Sequence, residues 1–159
     1  MSKWKFKVEK DFLPDVEGTT ESVEYADIFV GVKSKAEKRS FGELYDSQFD
    51  EDNMTFSYGL LNYDFEHFDR AGIEYSNNAI VLYEFFIEEK NRGKEKGLTD
   101  SLMKEVIKHA FMDLNKDEII LEAYPGWKKI PFESLKRFYE RFGFKQINNT
   151  QFFRLSSIA

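Results

Sequence analysis

The chain has 159 residues, no cysteine and a hydrophobic fraction of 42%, with 17 Phe, 8 Tyr and 2 Trp among them. So much apolar and aromatic side chain excludes a disordered tail, a coiled coil or a collagen-like chain, and the length suits one domain with its own core. The lack of cysteine leaves no disulfide framework, thiolate metal site or cysteine nucleophile, and 23 basic against 29 acidic side chains, a net charge of -6, argue against nucleic acid or an anionic membrane as partner. Neither the opening Met1-Ser2-Lys3-Trp4-Lys5-Phe6 nor any later stretch offers the run of a signal peptide or the ~20 apolar residues of a membrane span, so a cytoplasmic location is expected.

Trp4, Phe6 and Val8 alternate with charged residues, which predicts a strand with one buried face, and residues 11–20, with Pro14 and Gly18, read as a loop. Tyr25–Lys33 is the second predicted strand. Residues 34–52 are open: Phe41, Leu44, Tyr45 and Phe49 suit a helix face, Gly42 weakens it, and a hairpin is equally compatible. Met54, Phe56, Tyr58 and Leu60 alternate as a strand, and Asn77-Asn78 punctuates the chain before the most apolar strand, 79–87. Leu102, Met103, Val106, Ile107, Ala110, Phe111 and Leu114 form one helical stripe, with Lys104, Glu105 and Lys108 facing water. A strand over 118–124 stops at Pro125-Gly126. A helix over 132–142 follows, with Pro131 at its start and Gly143 at its end, and the last strand covers 151–155. This order predicts an α/β, mixed α+β architecture, a sheet with helices packed on it.

Between the apolar strand and the long helix lies a basic run, Lys90-Asn91-Arg92-Gly93-Lys94-Glu95-Lys96-Gly97-Leu98-Thr99, in an otherwise acidic chain. Where a strand turns into a helix, the first helical N–H groups lack acceptors and point, with the helix dipole, at whatever fills the turn. Glycines let phosphate oxygens approach the main chain and cations lie where a diphosphate would sit. A solvated lysine-rich turn accounts for the loop equally well when it is taken alone.

Residues 138–144, Phe-Tyr-Glu-Arg-Phe-Gly-Phe, are close to the Phe-Tyr-Glu-x-x-Gly-Phe signature of the GNAT superfamily of N-acetyltransferases, and together with the basic loop they make residues 80–155 resemble that family. The family's [Arg/Gln]-x-x-Gly-x-[Gly/Ala] loop fits in two registers. One begins at Arg92-Gly93 and puts Glu95 where glycine is wanted; the preferred one runs from Lys94 through Gly97 to Thr99 and lengthens the turn by about two residues. The resemblance implies a mostly antiparallel twisted sheet with helices on both faces, residues 1–78 forming a divergent acceptor-side half and 79–159 the acetyl-coenzyme A half of one domain.

It further implies that acetyl-CoA lies where strand 80–87 splays from strand 119–124. Phe86 and Ile87 main chain would hold the pantetheine, and Arg92, Gly93, Lys94, Glu95, Lys96, Gly97, Leu98 and Thr99 the phosphates. The acetyl group would pass directly to an amine, with Glu84 or Glu122 (or a water) taking its proton and Tyr139 protonating the departing thiolate. By spacing alone Tyr139 suits core packing, and Glu84 and Glu122 suit a strand edge equally. Trp127, beside Lys128-Lys129, suits a loop anchor or the mouth of the cofactor groove. His67 and His109 stand apart from other ligand types, which suits ordinary surface or core histidines, and no metal site is expected.

Asp46, Asp50, Glu51, Asp52, Asp64, Glu66 and Asp69 gather in the half implied to shape the acceptor side, so a cationic amine, small or protein-borne, is the expected acceptor. The protein would act as a monomer or homodimer. The alternative is a GNAT-like binding module without turnover, reaching a protein partner through its aromatic N-terminal half. The Ala123-Tyr124-Pro125 run and the Phe153-Arg154-Leu155 ending also resemble some bacteriophage members, which modify host proteins.

Overall fold

In the central strands, side chains that alternate between two apolar sets dictate a sheet covered on both sides. The computed structural model describes residues 6–12, 25–33, 56–87, 97–124 and 130–157. The strands are β1 (Lys7–Phe12), β2 (Tyr25–Lys33), β3 (Phe56–Asn62), β4 (Ala79–Phe86), β5 (Glu118–Glu122), β6 (Lys145–Gln146) and β7 (Phe152–Ser156). They form one seven-stranded sheet in the order β1-β2-β3-β4-β5-β7-β6. Among the described strands only β4 and β5 run parallel; the remaining neighbours are antiparallel, as expected.

Ile28, Val30, Leu61, Ile80, Leu82, Ile119, Leu121 and Phe153 face helix α2 (Leu98–Lys108), which buries Leu102, Met103 and Val106 against them. Helix α3 (Phe132–Arg141) lays Phe132, Leu135, Phe138 and Tyr139 on the same face. On the other face, Val81, Ile120 and Phe152 cover Phe68 of the short helix α1 (Glu66–Arg70), while Phe29, Tyr58 and Leu60 pack together with Phe86. Helices therefore cover both faces.

Several local expectations are corrected. Asp11 and Phe12 belong to β1 rather than to a loop. Val8, expected on the buried face, is 42% exposed on the edge strand β1. The long helix ends as α at Lys108 and continues as a π turn over His109–Asp113, closed by Leu114 N–H donating to the His109 carbonyl at 3.0 Å. Strand β5 stops at Glu122, two residues early, although Ala123 N–H still donates to Gln151. Residues 34–52 and Trp127 lie outside the described residues.

The Phe-Tyr-Glu-Arg-Phe-Gly-Phe motif has a plain physical reading. Gly143 takes φ 99°, Gly143 N–H donates to Glu140 and Phe144 N–H to Tyr139, which is the paired-bond stop of a helix whose C′ position requires the left-handed region. Phe144 then buries its ring, only 2% exposed, and turns the chain back toward β6.

Candidate active site

Two irregularities open the sheet at its centre. Parallel pairing of β4 with β5 covers only Ala79–Val81 against Glu118–Ile120, although β4 runs on to Phe86 and β5 to Glu122, so the strands part after Val81. On its other edge β4 carries a bulge: Leu60 pairs with Glu84 but Leu61 with Leu82, leaving Tyr83 over. A one-residue slip reverses which face each later side chain meets. Leu82 therefore faces α2 while Glu84 sits on the opposite face with Leu60 and Tyr58, and Phe85 and Ile87 turn toward the α2–α3 side.

The α1 side of this splay holds a cleft of about 470 Å³ walled by Asp64, His67, Tyr83, Glu84, Glu122 and Tyr124 over a floor of Phe68, Val81 and Leu82. Tyr83 is 51% and Tyr124 72% exposed, so two aromatic rings stand at its rim. Burial pushes the Glu84 carboxyl above its ordinary range, partly offset by a hydrogen bond from the Tyr58 hydroxyl. Burial raises the Tyr83 hydroxyl too, helped by Asp64 and Glu84.

Glu122 is placed between two partners. His67 Nδ1 lies 2.8 Å from its Oε1, and Gln151 Nε2 donates to its Oε2 at 3.0 Å. His67 and Glu122 also border a second cleft, of about 510 Å³, lined with them by Arg70, Asn149, Thr150 and Gln151. His67 is the residue that the sequence reading passed over. Its partner is 55 positions away, and neither spacing nor composition links them.

On the opposite face, Gly97 caps α2 with φ 88°, and among the described residues no atom lies within 4 Å of where a Cβ would stand. Ser101 N–H donates to the Gly97 carbonyl, so the N–H groups of Leu98, Thr99 and Asp100 precede the first intrahelical bond. Asp100 in this turn is engaged by Arg141 of α3. A left-handed glycine followed by helical N–H groups that precede the first intrahelical bond fits a diphosphate. Arg92, Gly93, Lys94, Glu95 and Lys96 lie outside the described residues. Phe86 and Ile87 lie beyond the last β5 pairing, where the strands have separated.

Tyr139 is brought to the α3 side and not into the acidic cleft. Its ring packs on Phe138, Phe144 and Phe153 with centroids at 5.2, 5.8 and 6.0 Å. Burial pushes its hydroxyl up to about 12, making it a weaker acid than a free tyrosine near 10 and a better hydrogen-bond donor than proton source. Of the acids grouped in the sequence, Asp64 lines the cleft, Glu66 pairs with Arg70 and Asp69 accepts from the Tyr75 hydroxyl; Asp46, Asp50, Glu51 and Asp52 lie outside the described residues. His109 is buried, with Nδ1 2.8 Å from Asp113.

Among solved structures, a chain assigned to the GNAT family of acetyltransferases from Desulfovibrio desulfuricans matches at a TM-score of 0.51 and 15% identity, over 82% of this chain and 69% of its own. The chain has a GNAT-type fold. A GNAT-family acetyltransferase from Staphylococcus aureus Mu50 is similar at a TM-score of 0.49 and 16% identity, over 82% of this chain and 67% of its own, and adds no weight. No protein-family profile and no curated protein matches the chain. Identity this low speaks for the fold alone. In the GNAT-type fold seen here, no helix among the described residues is long and apolar enough to cross a membrane.

Proposed function

We propose that the protein is an N-acetyltransferase that moves the acetyl group of acetyl-CoA directly to a cationic amine, with residues 79–159 serving the cosubstrate and the preceding half shaping the acceptor side of one domain. The observation that carries this reading is the parting of β4 from β5 after Val81 and Ile120. It leaves a gap in mid-sheet with a glycine-capped helix start on one face and an acidic, aromatic-rimmed cleft on the other. Acetyl-CoA supplies an activated thioester. The chain's part is to hold the phosphates at Gly97, Leu98 and Thr99 and in the basic loop from Arg92, and to hold the pantetheine along Phe86 and Ile87. Glu84 and Glu122 then face the incoming ammonium, and the Tyr139 hydroxyl donates to the departing sulfur.

A ligand that binds only the folded state raises the unfolding temperature by mass action. Thermal shifts with acetyl-CoA, CoA and ATP should therefore favour the two CoA species, and a thiol-release assay over a panel of primary amines should show turnover. Equal shifts with ATP, or none with either CoA species, would remove the acyltransferase reading.

A further inference from the structure

We propose that His67, oriented by Glu122, is the group that takes the proton from the acceptor ammonium; the inference rests on the acetyltransferase reading above and names the catalytic residue on its acceptor side. An ionised carboxylate has no proton to give, so the 2.8 Å contact between Nδ1 and Glu122 Oε1 requires the proton to sit on Nδ1. That leaves Nε2 of the neutral ring with its lone pair available. Gln151 Nε2, 3.0 Å from the second oxygen, holds the carboxylate in place, so a strand, a turn and a helix together set the imidazole's tautomer and direction. The His67 side chain is 57% exposed and borders both clefts, whereas Glu122 is 21% exposed with both oxygens engaged. Glu122 is thus a positioning residue, and the basic nitrogen is the part offered to a ligand.

Imidazole as a class also suits the task better than a carboxylate. A primary ammonium must lose a proton before nitrogen can attack, and a base that titrates near neutral pH combines availability with driving force. His67 Nε2 takes one proton from the ammonium, and the freed lone pair attacks the thioester carbonyl, forming the C–N bond. As the C–S bond breaks, the second proton lost by nitrogen ends on the thiolate; His67 then releases its proton to solvent, and the net products are the amide, the thiol and one H⁺. Among the described residues, the charged and titratable side chains around the ring are Glu122 of β5, Arg70 of its own helix, Asp64 ahead of that helix, Tyr83 and Glu84 of β4, and Tyr124.

The experiment has two arms on the full chain. Imidazole nitrogen NMR, simple because the protein has 2 histidines, reads the His67 tautomer; Nδ1–H is expected, and an Nε2–H ring overturns the proposal whatever the activity. Kinetics with spermidine and a lysine-containing peptide then compare wild type with His67→Gln and Glu122→Gln, with acetyl-CoA affinity measured separately by calorimetry. His67→Gln should lower kcat by roughly 10²–10³-fold and abolish the acidic limb of the pH profile, with acetyl-CoA affinity unchanged. Glu122→Gln should lower kcat by roughly tenfold while leaving the amine KM within about twofold of wild type, because the ring loses its orientation and not its place in the cleft. A limb that persists in His67→Gln, with kcat within about threefold of wild type, overturns the His67 assignment alone. Wild-type protein that binds acetyl-CoA but acetylates no amine overturns both readings.

Discussion

Gly59 of β3 lies directly beneath Val106 of α2: a Cβ placed on the glycine would overlap Val106 Cγ2. Helix and strand meet there at backbone distance, and this contact fixes how far α2 sits along the sheet and so where its glycine-capped start points. Gly59→Ala should therefore destabilise by about 1–3 kcal/mol, lowering Tm by on the order of 5 °C. In a double-mutant cycle, Gly59→Ala combined with Val106→Ala should cost less than the sum of the single changes, since the shortened side chain vacates the space. Strict additivity in thermal or urea unfolding would show that the two residues do not meet.

Gly97 poses a different constraint, because among the described residues nothing crowds it and its backbone angle, φ 88°, is what demands glycine. Gly97→Val places a β-branched residue in the left-handed region and crowds the turn meant for phosphate, so acetyl-CoA affinity should fall about tenfold, or ~1.4 kcal/mol. Gly97→Asn, which tolerates that region, should keep the wild-type Tm within ~2 °C and lose less affinity. Calorimetric titration checks both. A larger loss for Gly93→Ala than for Gly97→Val would move the phosphate cradle to the strand side of the loop.

The elements that sequence patterning finds are those whose signal is local. Strand β2 has the predicted bounds because alternation and flanking polar residues mark both ends, and Pro131 and Gly143 bracket α3 through backbone preferences that any context preserves. Helix α1 escapes because five residues make too few turns for a periodic stripe. The bulge at Tyr83 is silent in a mostly apolar, aromatic-rich run, since register is set by the neighbouring strand and not by β4 itself. For the same reason Glu84 is a plausible candidate from sequence, while its cleft-facing orientation is a product of pairing. His67 and Glu122 meet only because β3, α1 and β5 converge in space, which no spacing rule encodes.

Tyr139 tests the division between packing and chemistry. Tyr139→Phe keeps the ring among Phe138, Phe144 and Phe153 and removes only the hydroxyl, so Tm at pH 7 should change by less than ~2 °C while kcat falls roughly tenfold. The alkaline limb gives an independent check. With the folded hydroxyl raised to about 12 against 10 for the unfolded chain, its stabilising contribution is complete below pH 10 and is lost as pH rises through about 12. The Phe variant should lose stability less steeply across that window in urea titrations. Identical slopes would mean that the hydroxyl meets water in the folded protein.

Glu84 is raised because its charge is costly where the bulge puts it. A carboxyl whose folded pKa lies above the unfolded one favours folding below the unfolded value and loses that contribution as pH rises through the folded value. Glu84→Gln should therefore give a small rise in Tm at neutral pH that fades as the pH is lowered into the carboxyl range. It should also raise the KM of a cationic amine severalfold, since the counter-charge in the cleft is gone, with kcat changed much less than by His67→Gln. A neutral-pH Tm below wild type would show that the Tyr58 hydrogen bond outweighs the burial cost.

The walls of the cleft bear on acceptor choice beyond any one residue. Asp64, Glu84 and Glu122 contribute three carboxyl groups, and Tyr83 and Tyr124 present exposed rings whose faces attract cations. Arg70, in the adjoining basin, is paired with Glu66, so its charge does not stand unopposed against an incoming ammonium. Long-range attraction between such a cleft and a polyamine is screened by salt, with a Debye length of about 3 Å at 1 M. The kcat/KM for spermidine should therefore fall by roughly tenfold between low salt and 1 M, while that for a singly charged short amine changes little. Charge reversal offers the complementary test: Asp64→Lys should depress spermidine turnover through KM and leave acetyl-CoA affinity intact, because Asp64 lies on the α1 side, across the sheet from α2. If amino acids with a free carboxylate outperform polyamines, or if salt leaves spermidine kinetics unchanged, the acids serve only to solvate the rim, and selectivity must come from the shape of the cleft.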